Sequence, residues 1–251
     1  MKFPQESGEM ELINVIDNLG VTEEIKSVRF LDDKAYLVTF MRTDPLYAID
    51  FRDPMNPVVA DELKISGFSS YLHPVGDDRL LAIGKEANEK TGLITGFQIT
   101  LFDVSDLNST KVLQRYTIDQ RWASSQAETD HLAFRYLPLS KFLILPISIN
   151  TSWQRRVVED GKVEDFDGFK VFSVTDEKIE NRFSISMTSS SSIKRGCWYD
   201  AYLSPRSMVF DGDLTAVKGH GYLSYDLETE KMRWSQSLDE NNAAKCYSYW
   251  G

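Results

Sequence analysis

The stretch TDPLYAIDFRDPMNPVVADELKI, residues 43–65, runs an alternating apolar segment into a turn rich in Asp and Pro and leaves through a second alternating segment. Successive side chains of a β-strand point to opposite faces, so this alternation spells a half-buried strand, and Asp, Asn and Pro between two such runs spell a tight reversal. The pattern is written three more times, as ITLFDVSDLNSTKVLQRYTI (residues 99–118), FKVFSVTDEKIENRFSIS (169–186) and GYLSYDLETEKMRWSQSL (221–238). Asp50, Asp103, Ser173 and Asp226 hold the matching position at the turn. The first two and the last two are equally spaced; the middle interval is longer because it contains a charged insertion, residues 150–168.

Upstream of each pair lies another: IKSVRFLDDKAYLVTF, SSYLHPVGDDRLLAIG, HLAFRYLPLSKFLILPIS and CWYDAYLSPRSMVFDGDLTAVKG. Each reads as strand, turn, strand, with Asp32-Asp33, Gly76-Asp77-Asp78, Pro138-Leu139-Ser140 and Asp211-Gly212-Asp213 supplying the turn chemistry. Every repeat therefore contains four antiparallel strands. Four-stranded units recurring at this period are the signature of propeller blades, whereas a β-sandwich gives no reason for one four-strand order to recur. The sequence predicts an all-β chain, a β-propeller or propeller segment over residues 1–251. Its blades fall near 25–66, 67–119, 128–188 and 193–239, with an extra strand over 9–17.

The run from Val28 to Gly84, with its VTF, DPLY, ID and DP-x-NP elements, resembles the family of secreted bacterial and archaeal C-terminal β-propeller proteins distantly related to WD-40 repeats. AETDHLAFRYLPLSKFLILPIS, IKRGCWYD and YLSYDLET continue the likeness in order. The resemblance implies an extracellular or cell-surface propeller and carries over no catalytic residues. The chain shows no leader and is about half the length associated with that domain. Two expectations follow: about four blades closing on themselves, or an arc of a larger ring that self-associates if left incomplete, because open blade faces are apolar.

Composition narrows the function. The chain has 251 residues, 42% hydrophobic and 12% aromatic, enough for a substantial core, and a formal net charge of -10. That charge excludes a nucleic-acid or anionic-membrane surface as the main activity, since both need an excess of Lys and Arg. No apolar run is long enough to span a bilayer, and the N-terminus lacks the apolar core of a signal peptide. Cys197 and Cys246 are compatible with free thiols or one bridge, and the sequons at Asn108 and Asn150 are chance-level signals.

In a propeller the first strand of each blade lines the central channel. Lys26 and Arg29, His73, His131, and Lys194 and Arg195 fall on those strands, with Arg29 and His73 in equivalent register. They form a candidate basic mouth for an anionic ligand or acidic peptide, with structural pairing to nearby carboxylates as the competing reading. Asp130-His131 carries a metal or catalytic reading, opposed by adjacent strand residues pointing to opposite faces. DFDGF (165–169) and DGD (211–213) resemble pieces of calcium loops but lack the terminal acidic ligand, so both read as turns. TGLITG, KGHGY and TSSSSIKRG complete neither a phosphate cradle nor a nucleophile elbow. In the insertion, Trp153, Arg155 and Arg156 have the composition of a partner contact on an extended hairpin turning at Asp160-Gly161. The function expected is a non-catalytic binding or scaffolding propeller, without cofactor, engaging a protein partner or small anionic ligand. The alternative is a metal-dependent hydrolase or oxidoreductase using His73, His131 and Asp130.

Overall fold

The computed structural model describes residues 12–40, 44–149, 166–187, 204–218 and 221–237. Strands β1 (Glu24–Leu31), β2 (Lys34–Phe40), β3 (Asp44–Asp50) and β4 (Val58–Ile65) form one antiparallel sheet in chain order. Strands β5 (Phe68–Val75), β6 (Arg79–Ala87), β7 (Ile94–Asp103) and β8 (Lys111–Ile118) form the second. The third consists of β9 (Ala123–Ser124), β10 (Arg135–Leu137), β11 (Phe142–Ile149), β12 (Phe166–Val174) and β13 (Ile179–Ser186). The fourth consists of β14 (Arg206–Phe210), β15 (Asp213–Lys218), β16 (Gly221–Asp226) and β17 (Met232–Ser237). These are four blades of an all-β propeller.

The repeat holds below the level of strand order. In each blade the ladder between third and fourth strands carries one β-bulge, at Ala48/Ile49, Leu101/Phe102, Val171/Phe172 and Ser224/Tyr225, always two residues before the shared turn position. The next residue then donates its N–H to a carbonyl at the other hairpin turn of its blade: Phe51 to Asp33 at 2.6 Å, Val104 to Asp78 at 2.9 Å, Val174 to Lys141 at 2.8 Å and Leu227 to Gly212 at 3.0 Å. In three blades the turn Asp explains its own selection. Asp50, Asp103 and Asp226 each accept the backbone N–H two residues on, from Arg52, Ser105 and Glu228, which is the Asx turn that reverses the chain. The bulge twists the outer strand, and the cross-hairpin bond locks the two turns together.

The cores lie between blades. Leu72, Leu80 and Phe102 of the second blade meet Tyr36, Val38 and Leu46 of the first. Leu81, Ile99 and Phe97 meet Leu143, Leu145 and Phe172 of the third, and Ile144, Phe169 and Val171 meet Leu214 and Ala216 of the fourth. Each fully buried large side chain contributes about 1.5–3 kcal/mol, so blade stacking is the main stabilising term. Polar bonds set the register of the stack. Thr110 donates through its N–H and hydroxyl to Asp61 at 2.7 and 2.6 Å, and Gln114 exchanges two bonds with the backbone of Ile179, at 3.0 and 2.7 Å. Arg182 clasps Glu230 at 3.0 and 2.6 Å.

Three features differ from the sequence expectation. Residues 166–169 of the DFDGF stretch are not a turn but the start of β12, laddered to β11 from the Ile149 and Phe166 pair onward. Residues 12–17 form no strand; Ile16 and Leu19 instead pack on Ala35, Leu37, Tyr47 and Ile49, on the face of the first blade away from the second. His131 is not on a strand. It opens a 3-10 turn, His131–Ala133, because the Asp130 carboxylate accepts the Leu132 N–H and caps it. A second 3-10 turn, Gln126–Glu128, precedes it, with Ser125 and Glu128 forming a reciprocal capping box. The first-strand place of the third blade is thus divided between β9 and β10, both paired to β11.

Candidate functional site

Strands β1 and β5 pack against each other more extensively than any other two strands of different blades, and Ser27 ties them by donating its hydroxyl to the Ser69 carbonyl at 2.8 Å. Arg29 and His73 both hold the sixth place of these eight-residue strands, and the fold brings the two together. Burial pushes the His73 imidazole down from 6.5 to about 4, and the neighbouring Arg29 charge pushes the same way. His73 is therefore neutral near pH 7. Its ring packs 4.7 Å from Phe134 and 5.7 Å from Tyr136, and the Tyr71 hydroxyl lies 3.5 Å from its Nδ1. Tyr71 in turn stacks tilted on Phe134 at 4.9 Å.

Arg29 is the unusual member of this wall. Its Nε is buried with no hydrogen-bond partner, and no ion pair to it occurs among the described residues. A guanidinium offers five donors in a rigid fork suited to carboxylate or phosphate. Among the described residues this one has no partner, and it stands beside a neutral imidazole and three aromatic rings, which makes it a candidate for receiving an anion.

The other predicted members of the mouth have different surroundings. Lys26 pairs with Glu24 at 2.7 Å and sits over the rings of Phe40 and Phe68, at 5.9 and 5.2 Å, which are themselves in contact. It closes the joint between the first two blades. His131 is exposed on its 3-10 turn, and the adjacent Asp130 pairs with Arg206 of the fourth blade at 2.7 Å. That contact, with the Leu132 bond, holds the Asp130 carboxyl below the ordinary carboxylate range, the Arg206 hydrogen bond contributing most. Lys194, Arg195, Trp153, Arg155, Arg156, Cys197 and Cys246 lie outside the described residues. Among the described residues no three His, Cys, Asp or Glu side chains gather in a group able to hold a metal ion.

Two residues, one on the wall and one behind it, escaped the sequence reading. Arg135 stands in the third blade where Arg29 and His73 stand in theirs, two residues before the strand ends, and donates Nε to the Ser207 carbonyl at 2.8 Å. Its register relative to the following turn was the available signal. Lys85 reaches Glu128 at 3.0 Å and the Ala123 carbonyl at 2.8 Å, anchoring the 3-10 segment to the second blade, a contact between positions that no pattern links.

A family model for the β-propeller domain matches residues 5–230. The chain belongs to the β-propeller domain family. The propeller is 39% identical over 156 residues to an uncharacterised protein of Methanocaldococcus jannaschii, covering 62% of this chain and 24% of that one. It is 38% identical over 125 residues to an uncharacterised protein of Archaeoglobus fulgidus, covering 50% and 19%. The matched part of the propeller thus spans about a quarter or less of these relatives. Solved structures similar to it include hydrazine synthase of Kuenenia stuttgartiensis, at 15% identity and TM-score 0.49 over 80% of this chain and 52% of that one. Apo AztD from Citrobacter koseri is another, at 17% identity and TM-score 0.46 over 86% and 47%.

Proposed function

We propose that this propeller is a non-catalytic binding module whose inner wall receives an anionic group, a carboxylate above all, on Arg29. The observation that carries the reading is the unpaired, partly buried guanidinium beside His73. An anion arriving there offsets the Arg29 charge that disfavours the imidazolium, so ligand binding and protonation of His73 are coupled. Binding strengthens as pH falls from 7 toward 5, since the occupied site favours the charged ring. Tyr71, Phe134 and Tyr136 supply the apolar surround that makes the one charge-assisted contact selective. The loop face and the insertion that carries Trp153, which lies outside the described residues, remain part of the proposal as a surface for a protein partner, consistent with function carried on loops over a rigid scaffold.

The test uses a capped Glu-Glu dipeptide and inorganic phosphate as probes, with calorimetry and the His73 ring resonances as readouts. Saturable binding that Arg29→Gln weakens at least roughly tenfold, and a pH dependence that His73→Phe abolishes, are expected from loss of one charge-assisted contact. Binding unchanged by Arg29→Gln, or no binding of either probe at millimolar concentration, overturns the reading.

A further inference from the structure

A cavity lies between the third and fourth blades on the side of their hairpin turns. It encloses about 780 Å³. Leu137, Phe142, Val209 and Leu227 form mostly apolar walls, and Leu139, fully exposed, stands at its edge. The rim is ionic. Arg182 is already clasped by Glu230, and Arg233 already bridges Asp213, at 2.6 Å, and Asp226. The side-chain carboxylates of Asp211 and Glu228 have no hydrogen-bond or ion-pair partner among the described residues. Both cations of the cleft are thus neutralised within the protein, and two carboxylates are left over beside an apolar cavity.

From this we infer that the cleft between blades 3 and 4 docks a partner's peptide segment in which a Lys or Arg is flanked by apolar side chains. The apolar residues would fill the space over Phe142 and Val209, and the cationic head would meet Asp211 and Glu228 at the rim. Charge complementarity selects this occupant. An acidic segment would bring its carboxylate beside two unpaired ones, at a cost that the occupied arginines cannot offset. An apolar segment without a cation would leave both carboxylates partly desolvated and unpaired. The walls come from turns held by the cross-hairpin bonds of Val174 and Leu227, so the cavity is preformed, which lowers the ordering cost of binding. This site does not depend on Arg29.

Three capped tripeptides of matched size, Leu-Arg-Phe, Leu-Gln-Phe and Leu-Glu-Phe, test the inference with methyl-labelled protein and NMR titration. The Arg peptide should give saturable shifts at the Leu137, Val209 and Leu227 methyls, and the Glu peptide should bind at least roughly tenfold more weakly, as expected for a like-charge contact replacing an opposite one. The double variant Asp211→Asn/Glu228→Gln should weaken the Arg peptide several-fold while leaving the Leu-Gln-Phe affinity and the melting temperature unchanged. Asn tolerates the positive φ of 48° that Asp211 adopts in its turn, so the variant keeps the hairpin. Arg29→Gln should leave all three affinities unaltered. Equal affinity for the Arg and Glu peptides, shifts remote from these methyls, or no saturable shift at millimolar peptide would overturn the inference.

Discussion

Acidification between pH 7 and pH 4.5 should destabilise this propeller through His73, and replacing that residue should remove the effect. The folded ring has its pKa pushed down to about 4 from 6.5, by burial first and by Arg29 second. The unfolded chain therefore takes up a proton in a range where the folded chain refuses it. Stability contributed by the neutral ring is fully present above about pH 6.5, is lost progressively as pH falls toward 4, and changes no further below that. At about 1.4 kcal/mol per pH unit the displacement sets a ceiling near 3 kcal/mol, and solvent screening of a ring that is only partly buried lowers the expected loss to about 1–2 kcal/mol. His73→Phe keeps an aromatic ring against Phe134 and Tyr136 and removes the titration. Urea unfolding followed by intrinsic fluorescence at several pH values from 7.5 to 4.5 reads the difference between the two proteins. Asp50 and Asp103 are held below the ordinary carboxylate range by hydrogen bonds from Arg52 and Ser105. Their contribution is fully present above the ordinary carboxylate pKa near 3.8 and is lost only below this window, equally in both proteins, so it does not enter the comparison. Parallel pH profiles for His73→Phe and the parent would refute the account of His73 as a ring held neutral by its surroundings.

The backbone and the open faces supply two further predictions. Gly67 has a φ of 79°, and a Cβ there would stand 2.0 Å from the Lys85 carbonyl oxygen, whereas Gly76, at φ 64°, has nothing within 4 Å. Gly67→Ala should cost about 1–3 kcal/mol or more through overpacking, seen as a fall in melting temperature of at least about 2 °C, while Gly76→Asn should stay within about 1 kcal/mol; equal costs would contradict the close approach at Gly67. Phe30 of the first blade and Phe210 of the fourth are 67% and 84% exposed, leaving apolar faces that a second copy can cover. Sedimentation should show concentration-dependent association, with Phe30→Glu and Phe210→Glu each raising the dissociation constant roughly tenfold, as loss of one large apolar contact predicts; unchanged association in both variants would remove these faces from the contact.

Repetition and turn chemistry made the fold legible in the sequence. Alternation is a local signal, and in three of the four blades the Asp of the third-to-fourth hairpin serves its own turn, so aligning four turns aligned four blades down to the bulge. The same locality explains the misreading around His131. HLAF reads as a strand entry, but Asp130 and Ser125 each cap a 3-10 turn there, and a two-turn interruption of an inner strand has no repeat to announce it. Register alone put Arg29 and His73 in one class, and the structure separates them into a cation with no partner among the described residues and a neutral ring, a distinction set by what surrounds each.

The sequence by itself therefore determined the strands, their order within each blade, the turn that closes each hairpin and the acidic balance of the whole, because these follow from neighbours along the chain. Only the tertiary structure decided which charges are already paired, that His73 stays neutral, that Arg135 replaces His131 in the equivalent place, and that a cavity opens between the last two blades. Those properties depend on burial and on contacts between blades, where the free energy of a charge is set by residues remote from it in the chain.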